Sequence, residues 1–330
     1  MNYLSARLLT TFFLLIAAAI VLGGWSLASG AVPLTASQVI DALLGNAPRN
    51  MSLVVVEWRL PRVLTALLVG AALGVSGAIF QSLLRNPLGS PDVMGFNTGA
   101  WSGVLIAMVL FNQHQSAIAC AAMGGGVLCA LVVWLLAWRN GIDTFRLIII
   151  GIGVRAMLMA FNTWLLLQAS LDTAVSAGLW NAGSLNGLTW GKMQPTAPFI
   201  IVLLLAASLL VRRMRLLEMG DDTACALGVR VEVSRLLLMF TAVLLTACAT
   251  ALAGPISFVA LVAPHIAKRL SGTARWGLTQ SALCGGVLLL LADLCAQRLF
   301  MPYQLPVGVV TVSIGGLYLI ALLIKESRKR

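Results

Sequence analysis

Charge is what this sequence has least of. Only 10% of its 330 residues are Asp, Glu, Lys or Arg, and just 11 are acidic. A water-soluble domain of this length exposes a far more charged surface, so the composition excludes one. Histidine is scarcer still: His114 and His265 stand far apart and suggest no metal site. The six cysteines (120, 129, 225, 248, 284, 295) are scattered without a C-x-x-C. They read as small buried residues, with no disulfide framework and no metal site implied. Also missing are G-x-x-x-x-G-K-[ST], G-x-S-x-G and H-E-x-x-H, so phosphate cradling by a P-loop and two common routes to hydrolysis are excluded. "GIG" at 151–153 lies inside an apolar run and reads as helix packing. Without a nucleophile–base pair, metal cluster or paired carboxylates, the chain is expected not to be an enzyme. It moves something or relays a signal. An ion-coupled carrier would need buried acids, and only Asp293 and Asp172 could serve.

What is there is hydrocarbon. The chain is 60% hydrophobic with a mean hydropathy of +0.96. Apolar runs near 20 residues recur, enough to cross about 30 Å of hydrocarbon, and lipid forces such runs into helices. The fold class is therefore an all-α polytopic membrane protein, a single transmembrane domain over 1–330. About ten spans are expected, near 8–28, 58–84, 95–111, 115–138, 146–168, 195–211, 232–253, 256–268, 277–299 and 306–324. The third and eighth are short. "TAVSAGLWNAGSLNGL" reads as a further half-buried helix on the outer side. The first run, after Arg7, reads as an uncleaved helix.

A net charge of +11 would suit nucleic acid, but its distribution does not. The basic residues sit in short clusters between spans, where they set topology. Arg7, Arg85, Arg139, Arg146, the Arg212/Arg213/Arg215 cluster, Arg230, Arg235, Lys268, Arg269, Arg275 and the tail "KESRKR" fall on one side. Arg49, Arg59, Arg62, Lys192 and Arg298 fall on the other. The crowded side is the cytoplasm, with both termini inside. "GAIFQSLLRNP" and "GPISFVALVAP" echo each other weakly, as internal repeats of transporters do.

One cytoplasmic segment is mild and polar between basic flanks: "GDDTACALGV", 220–229. Glu218, Asp221 and Asp222 suit a helix N-terminus, and Gly228 suits its C-cap. A short helix exposing Ala224, Ala226 and Leu227 would let another protein's backbone come close, so the loop about 212–232 reads as a docking surface.

That segment, with "EWRLPRVLTALLVGAALGVSGAIFQSLLRNPLGSPDVMGF", "LWNAGSLNGLTW", "AGPISFVALVAPHIAKR" and "QLPVGVVTVSIGG", resembles permeases of the iron-siderophore and cobalamin family of ABC importers. "FRLIIIGIGVRAM", "WNAGSLNGLTW" and "LLEMGDDTACALGV" resemble its ferric-enterobactin branch. The resemblance implies a cobalamin-permease-like, type II importer fold of ten helices, paired with a second, related permease subunit as a heterodimer in the inner membrane. It implies a cytoplasmic ABC ATPase dimer gripped through Gly220, Asp221, Asp222, Ala224, Leu227 and Gly228. A periplasmic siderophore-binding protein would deliver the ferric siderophore. No cofactor is expected on this chain, ATP and Mg belonging to the ATPase. Other cargoes of the family are ferric hydroxamate, ferric citrate and cobalamin.

Carried onto this sequence, Arg59 and Arg62 match the basic pair that meets acidic residues of the binding protein. Arg298 is expected to join them, although Gln297 stands at the family's equivalent position. Asn140, Gly141, Asp143 and Thr144 fall where the family has its inner gate, and local chemistry makes them a turn and helix cap. Trp180 and Trp190 flank Gly183, Ser184 and Gly187 near the outer gate. Arg155 lies about 13 Å beyond Arg146 along the fifth span. An arginine there is costly unless it faces water or a partner. It either faces the pathway and attracts an anionic ligand or pairs internally, with Asp293 as the candidate.

Overall fold

The computed structural model describes residues 2–30, 32–111, 115–138, 144–273, 276–301 and 303–327. In chain order the helices are α1 (Asn2–Ala28), α2 (Ala36–Leu43), α3 (Arg49–Ser52), a π-helical segment (Leu53–Arg59) running into α4 (Leu60–Leu83), α5 (Phe96–Leu110), α6 (Gln115–Ala137) and α7 (Thr144–Gln168). They continue with α8 (Leu171–Asn181), α9 (Trp190–Met193), α10 (Ala197–Glu218), α11 (Asp221–Ala226), α12 (Val231–Ala253), α13 (Val259–Ser271), α14 (Leu278–Arg298) and α15 (Val307–Ser327). The ten apolar runs are all helical, and α8 is the extra helix between the fifth and sixth. Among the described residues, however, six helices rather than ten are long and apolar enough to cross a membrane. α5 and α15 qualify only as shorter apolar helices. α13 is 13 residues long, and α10 carries Arg212, Arg213, Arg215 and Glu218 in its last turns.

α4 is the axis of the bundle, packed against α14, α12, α13, α10 and α1. Its sequence explains this: Gly70, Gly74 and Gly77 recur at helical spacing on one side. A Cβ at Gly70 would strike the carbonyl of Gly285, at Gly74 that of Ser281, and at Gly77 that of Ala260. Backbone therefore touches backbone, the small-residue packing that lipid-embedded helices rely on.

The π-helical segment lies just before Pro61, which leaves one of its carbonyls unbonded within the helix. In its register the Leu60 N–H bonds the Val55 carbonyl, so the Val56 carbonyl would fall to Pro61, which has no N–H. Trp190 Nε1–H fills the vacancy at 2.8 Å. α13 carries a proline, Pro264, in its interior. The helix runs through Pro264 to Ser271 and stops at Gly272, with φ 65°. The Ala260 carbonyl, which Pro264 cannot bond, lies against Gly77 instead. The echo between "GAIFQSLLRNP" and "GPISFVALVAP" has no structural counterpart, since Gly77 is mid-helix and Gly254 ends α12.

Candidate functional site

A cavity of about 520 Å³ opens among α5, α7, the α8 end, the turn before α13 and the start of α15. Asp92, between α4 and α5, sits in its wall fixed by two donors. Asn97 Nδ2–H donates to Oδ1, and the Phe258 N–H donates to Oδ2 at 3.3 Å. Asn97 Oδ1 in turn accepts from Thr250 Oγ1 at 3.1 Å. Phe258 adopts φ 69°, a left-handed conformation costly for a bulky residue, so its neighbours must hold it there. Arg155 lines the same cavity, is exposed to it, and lies within electrostatic reach of Asp92. Its backbone rides over Gly95, where a Cβ would lie 3.0 Å from that of Arg155. Asn162 donates to the Thr98 carbonyl at 3.5 Å, while its buried Oδ1 has no partner among the described residues. The cavity thus combines one exposed cation and the bonded Asp92 carboxylate with carboxamides and hydroxyls over the apolar walls of Trp101, Met159 and Leu166. Among the described lining residues no nucleophile–base pair stands in it.

One end of the cavity is a junction of three chain segments. Ser184 N–H donates to the Ala253 carbonyl at 2.8 Å, and Gly308 N–H to that of Gly183 at 3.0 Å. A Cβ on Gly183 would meet the Pro255 carbonyl, so only glycine fits. Trp180 stacks on Trp101 with centroids 5.8 Å apart. Trp190 does not join it, being committed to the Val56 carbonyl. The expected tryptophan pair is therefore split between two places. Asn140, Gly141 and Asp143 lie outside the described residues, and Thr144 begins α7 without a described side chain.

At the crowded end, α11 forms a six-residue helix closed by a Schellman motif. Val229 N–H reaches the Ala224 carbonyl, Gly228 N–H reaches that of Cys225, and Gly228 has φ 80°. Ala224 is fully buried, correcting the expectation that it is exposed, because it is the residue of this short helix turned towards the bundle. Ala226, Leu227 and Asp222 remain exposed. Asp221 also turns inward, accepting from Arg85 at 2.9 Å and from Arg235 at 2.8 Å, which ties α11 to the ends of α4 and α12. Glu218 accepts from Ser82 Oγ at 2.8 Å rather than capping α11. Arg85, at φ 46°, is the second non-glycine residue held in left-handed backbone among the described residues.

The opposite end brings a second correction. Arg62 is not an exposed docking cation: it grips both carboxylate oxygens of Asp293 at 2.8 Å, and Gln297 donates to the same group. Asp293 is 1% exposed, so burial demands that partner. This also removes Asp293 as a partner for Arg155. Arg59 donates to the carbonyls of Leu27 and Val32, leaving Arg298, exposed and electrostatically close to Arg59, as the most available cation of the three. Asp92, Asn97, Asn162 and Arg85 were missed from the sequence; Asp92, a lone acid within "NPLGSPDVMGF", was the available signal.

The FecCD transport family profile matches residues 15–325. The chain is 77% identical over 330 residues, all of both proteins, to the ferric enterobactin transport system permease protein FepG of Escherichia coli. It is 38% identical over 304 residues, 91% of this chain and 87% of the relative, to the achromobactin transport system permease protein CbrC of Dickeya dadantii. Among solved structures, a metal-chelate type ABC transporter in an inward-facing conformation superposes with a TM-score of 0.83 at 27% identity, covering 96% of this chain and 99% of that one.

Proposed function

The chain belongs to the FecCD transport family of membrane permeases, and from that membership we propose that it is one inner-membrane permease subunit of a binding-protein-dependent ABC importer carrying ferric enterobactin into the cytoplasm. The observation that carries the cargo is identity of 77% along the whole length of a ferric enterobactin permease. In this reading the polypeptide crosses the membrane ten times with both termini in the cytoplasm. It pairs with a related permease through the apolar face that α7 and α15 leave uncovered, where Ile152, Met157, Trp164, Val312 and Leu317 are exposed. The cavity beside Arg155 is its half of the pathway. A catecholate siderophore bearing ferric iron is a large anion, and a cation standing among carboxamides suits it electrostatically. The 180–184 junction serves as the outer gate, and the segment at 140–144 as the inner one.

ATP and Mg are handled by a partner ATPase that seats on the exposed side of α11. Closure of that motor pulls on Asp221 and through it on α4 and α12, an arrangement supported by the Arg85 and Arg235 contacts. The binding protein approaches the opposite end near Arg298. This chain holds no cofactor of its own. The test is radio-iron uptake in cells lacking an enterobactin-type permease, with this gene and with its Asp221→Asn variant. Radio-iron-labelled ferric enterobactin and a ferric hydroxamate would be compared with radio-cobalt-labelled cobalamin. Rescue by ferric enterobactin alone, weakened in the variant, is the expected result. Rescue by another substrate would keep the transporter and change the cargo, while uptake abolished by ionophores with ATP intact would point to a secondary carrier.

A further inference from the structure

A second cavity, of about 880 Å³, lies at the crowded end of the bundle, away from the Arg155 cavity. The ends of α1, α4, α10 and α13 enclose it, with Trp276 just before α14. Five cations line it: Arg7, Arg85, Arg215, Lys268 and Arg269. Among the described lining residues the one carboxylate is Glu218, held by Ser82 Oγ–H, and its single negative charge leaves most of the five cations unmatched. We propose that this cavity is a phosphate-binding site, taking the phosphate of an anionic lipid headgroup or a free phosphate of the same charge.

A topology signal needs basic residues on one side of the membrane but does not need them around one cavity. Here they come from three helices and the turn after α4, far apart in sequence, and such convergence of like charge is self-repelling unless an anion offsets it. Internal partners use up only part of this charge. Arg7 donates to the Leu270 and Arg269 carbonyls, and Arg85 is tied to Asp221. Neither arrangement brings an anion into the cavity itself. The wall is also suited to the membrane interface. Lys268 Nζ lies 4.3 Å over the Trp276 ring, and His265 meets the same ring edge-on at 5.4 Å. A tryptophan beside cations at helix ends is the chemistry of the headgroup layer, and basic pockets between helices on the cytoplasmic side hold anionic headgroups. At the floor, Gln81 is fully buried and its Oε1 lacks a partner among the described residues, which offers an acceptor to a hydroxyl or a water carried with the phosphate.

The test uses the full chain purified with its co-expressed partner subunits in detergent, read by native mass spectrometry. Dioleoylphosphatidylglycerol, dioleoylphosphatidylcholine and inorganic phosphate are titrated separately and in competition. The expected result is phosphatidylglycerol retained over phosphatidylcholine and displaced by millimolar phosphate. In the Arg215→Gln/Lys268→Gln double variant its affinity should fall about fivefold per cation, about 25-fold in all. Arg215→Lys/Lys268→Arg, which keeps the charge, should bind as the parent does, and the thermal melting of the Arg215→Gln/Lys268→Gln variant separates loss of ligand from loss of fold. Binding of inorganic phosphate without lipid preference would support the site and identify a free phosphate as its occupant. Equal retention of both lipids with no phosphate effect would overturn the proposal. So would a double variant that binds like the parent, or an assembled complex that binds neither lipid nor phosphate.

Discussion

α4 and α7 are both apolar enough to cross a membrane, yet 78% of the most apolar stretch containing α4 is buried inside the chain and only 17% of that of α7. The glycines mark the difference. Those of α4 press against the carbonyls of Gly285, Ser281 and Ala260, whereas Gly153 of α7 has nothing within 4 Å. The arginines repeat it: Arg62 on α4 is spent on Asp293, and Arg155 on α7 faces a cavity. Equal hydrophobicity thus conceals opposite assignments. One helix is satisfied by its own polypeptide, and the other presents its face to lipid, partner or cargo.

The comparison breaks first at α4. Gly74→Leu must push α14 away from a backbone it touches, and overpacking at a backbone contact should cost about 3 kcal/mol or more. The expected outcome is loss of folded protein from the membrane fraction, measured by immunoblot and by thermal melting in detergent. Arg62→Ala comes close behind, at about 3 kcal/mol, because it strands a carboxylate that is 1% exposed. Removing both charges, with Arg62→Gln and Asp293→Asn together, should recover most of the lost melting temperature. A double variant as unstable as Arg62→Ala would show that the pair is not what holds these helices.

The contrast also shows how much could be read in advance. Helix positions were legible because about 20 apolar residues in lipid leave the backbone little alternative. Partners were not. Arg62 and Asp293 are 231 residues apart, and nothing local in either span names the other. Arg62 lies at a helix end on the charge-poor side, a position equally suited to docking. Ala224 went wrong for a different reason: α11 is six residues long, too short for periodicity to tell its buried face from its open one. Arg155 was legible as an anomaly, since a cation deep in an apolar run demands an explanation, but the Asp92, Asn97 and Ser257 that line the cavity with it come from other elements and only the fold assembles them.

On α7 the effects should move from folding to transport. Arg155→Gln removes a charge from the cavity wall and the cation within reach of Asp92, but Asp92 keeps the hydrogen bonds from Asn97 and Phe258 that hold it in place. Uptake of an anionic ferric siderophore should fall about tenfold, the value of one charge-assisted hydrogen bond, with melting within a degree or two of the parent. If melting collapsed and uptake per folded molecule did not change, Arg155 would be structural after all.

Gly153→Ala is the mildest change and the sharpest test of the contrast. A methyl group there meets open space within this chain, and alanine favours a helix over glycine by about 1 kcal/mol, so the isolated subunit should be unchanged or slightly more stable. Whatever the methyl does beyond that must come from outside the polypeptide. If a second subunit packs on this face, the substitution should weaken co-purification of the two permeases while leaving the single chain intact. If lipid or the open pathway lies there, pairing should be untouched. A loss of stability in the isolated chain would contradict both, and would mean that α7 is packed within its own subunit as α4 is.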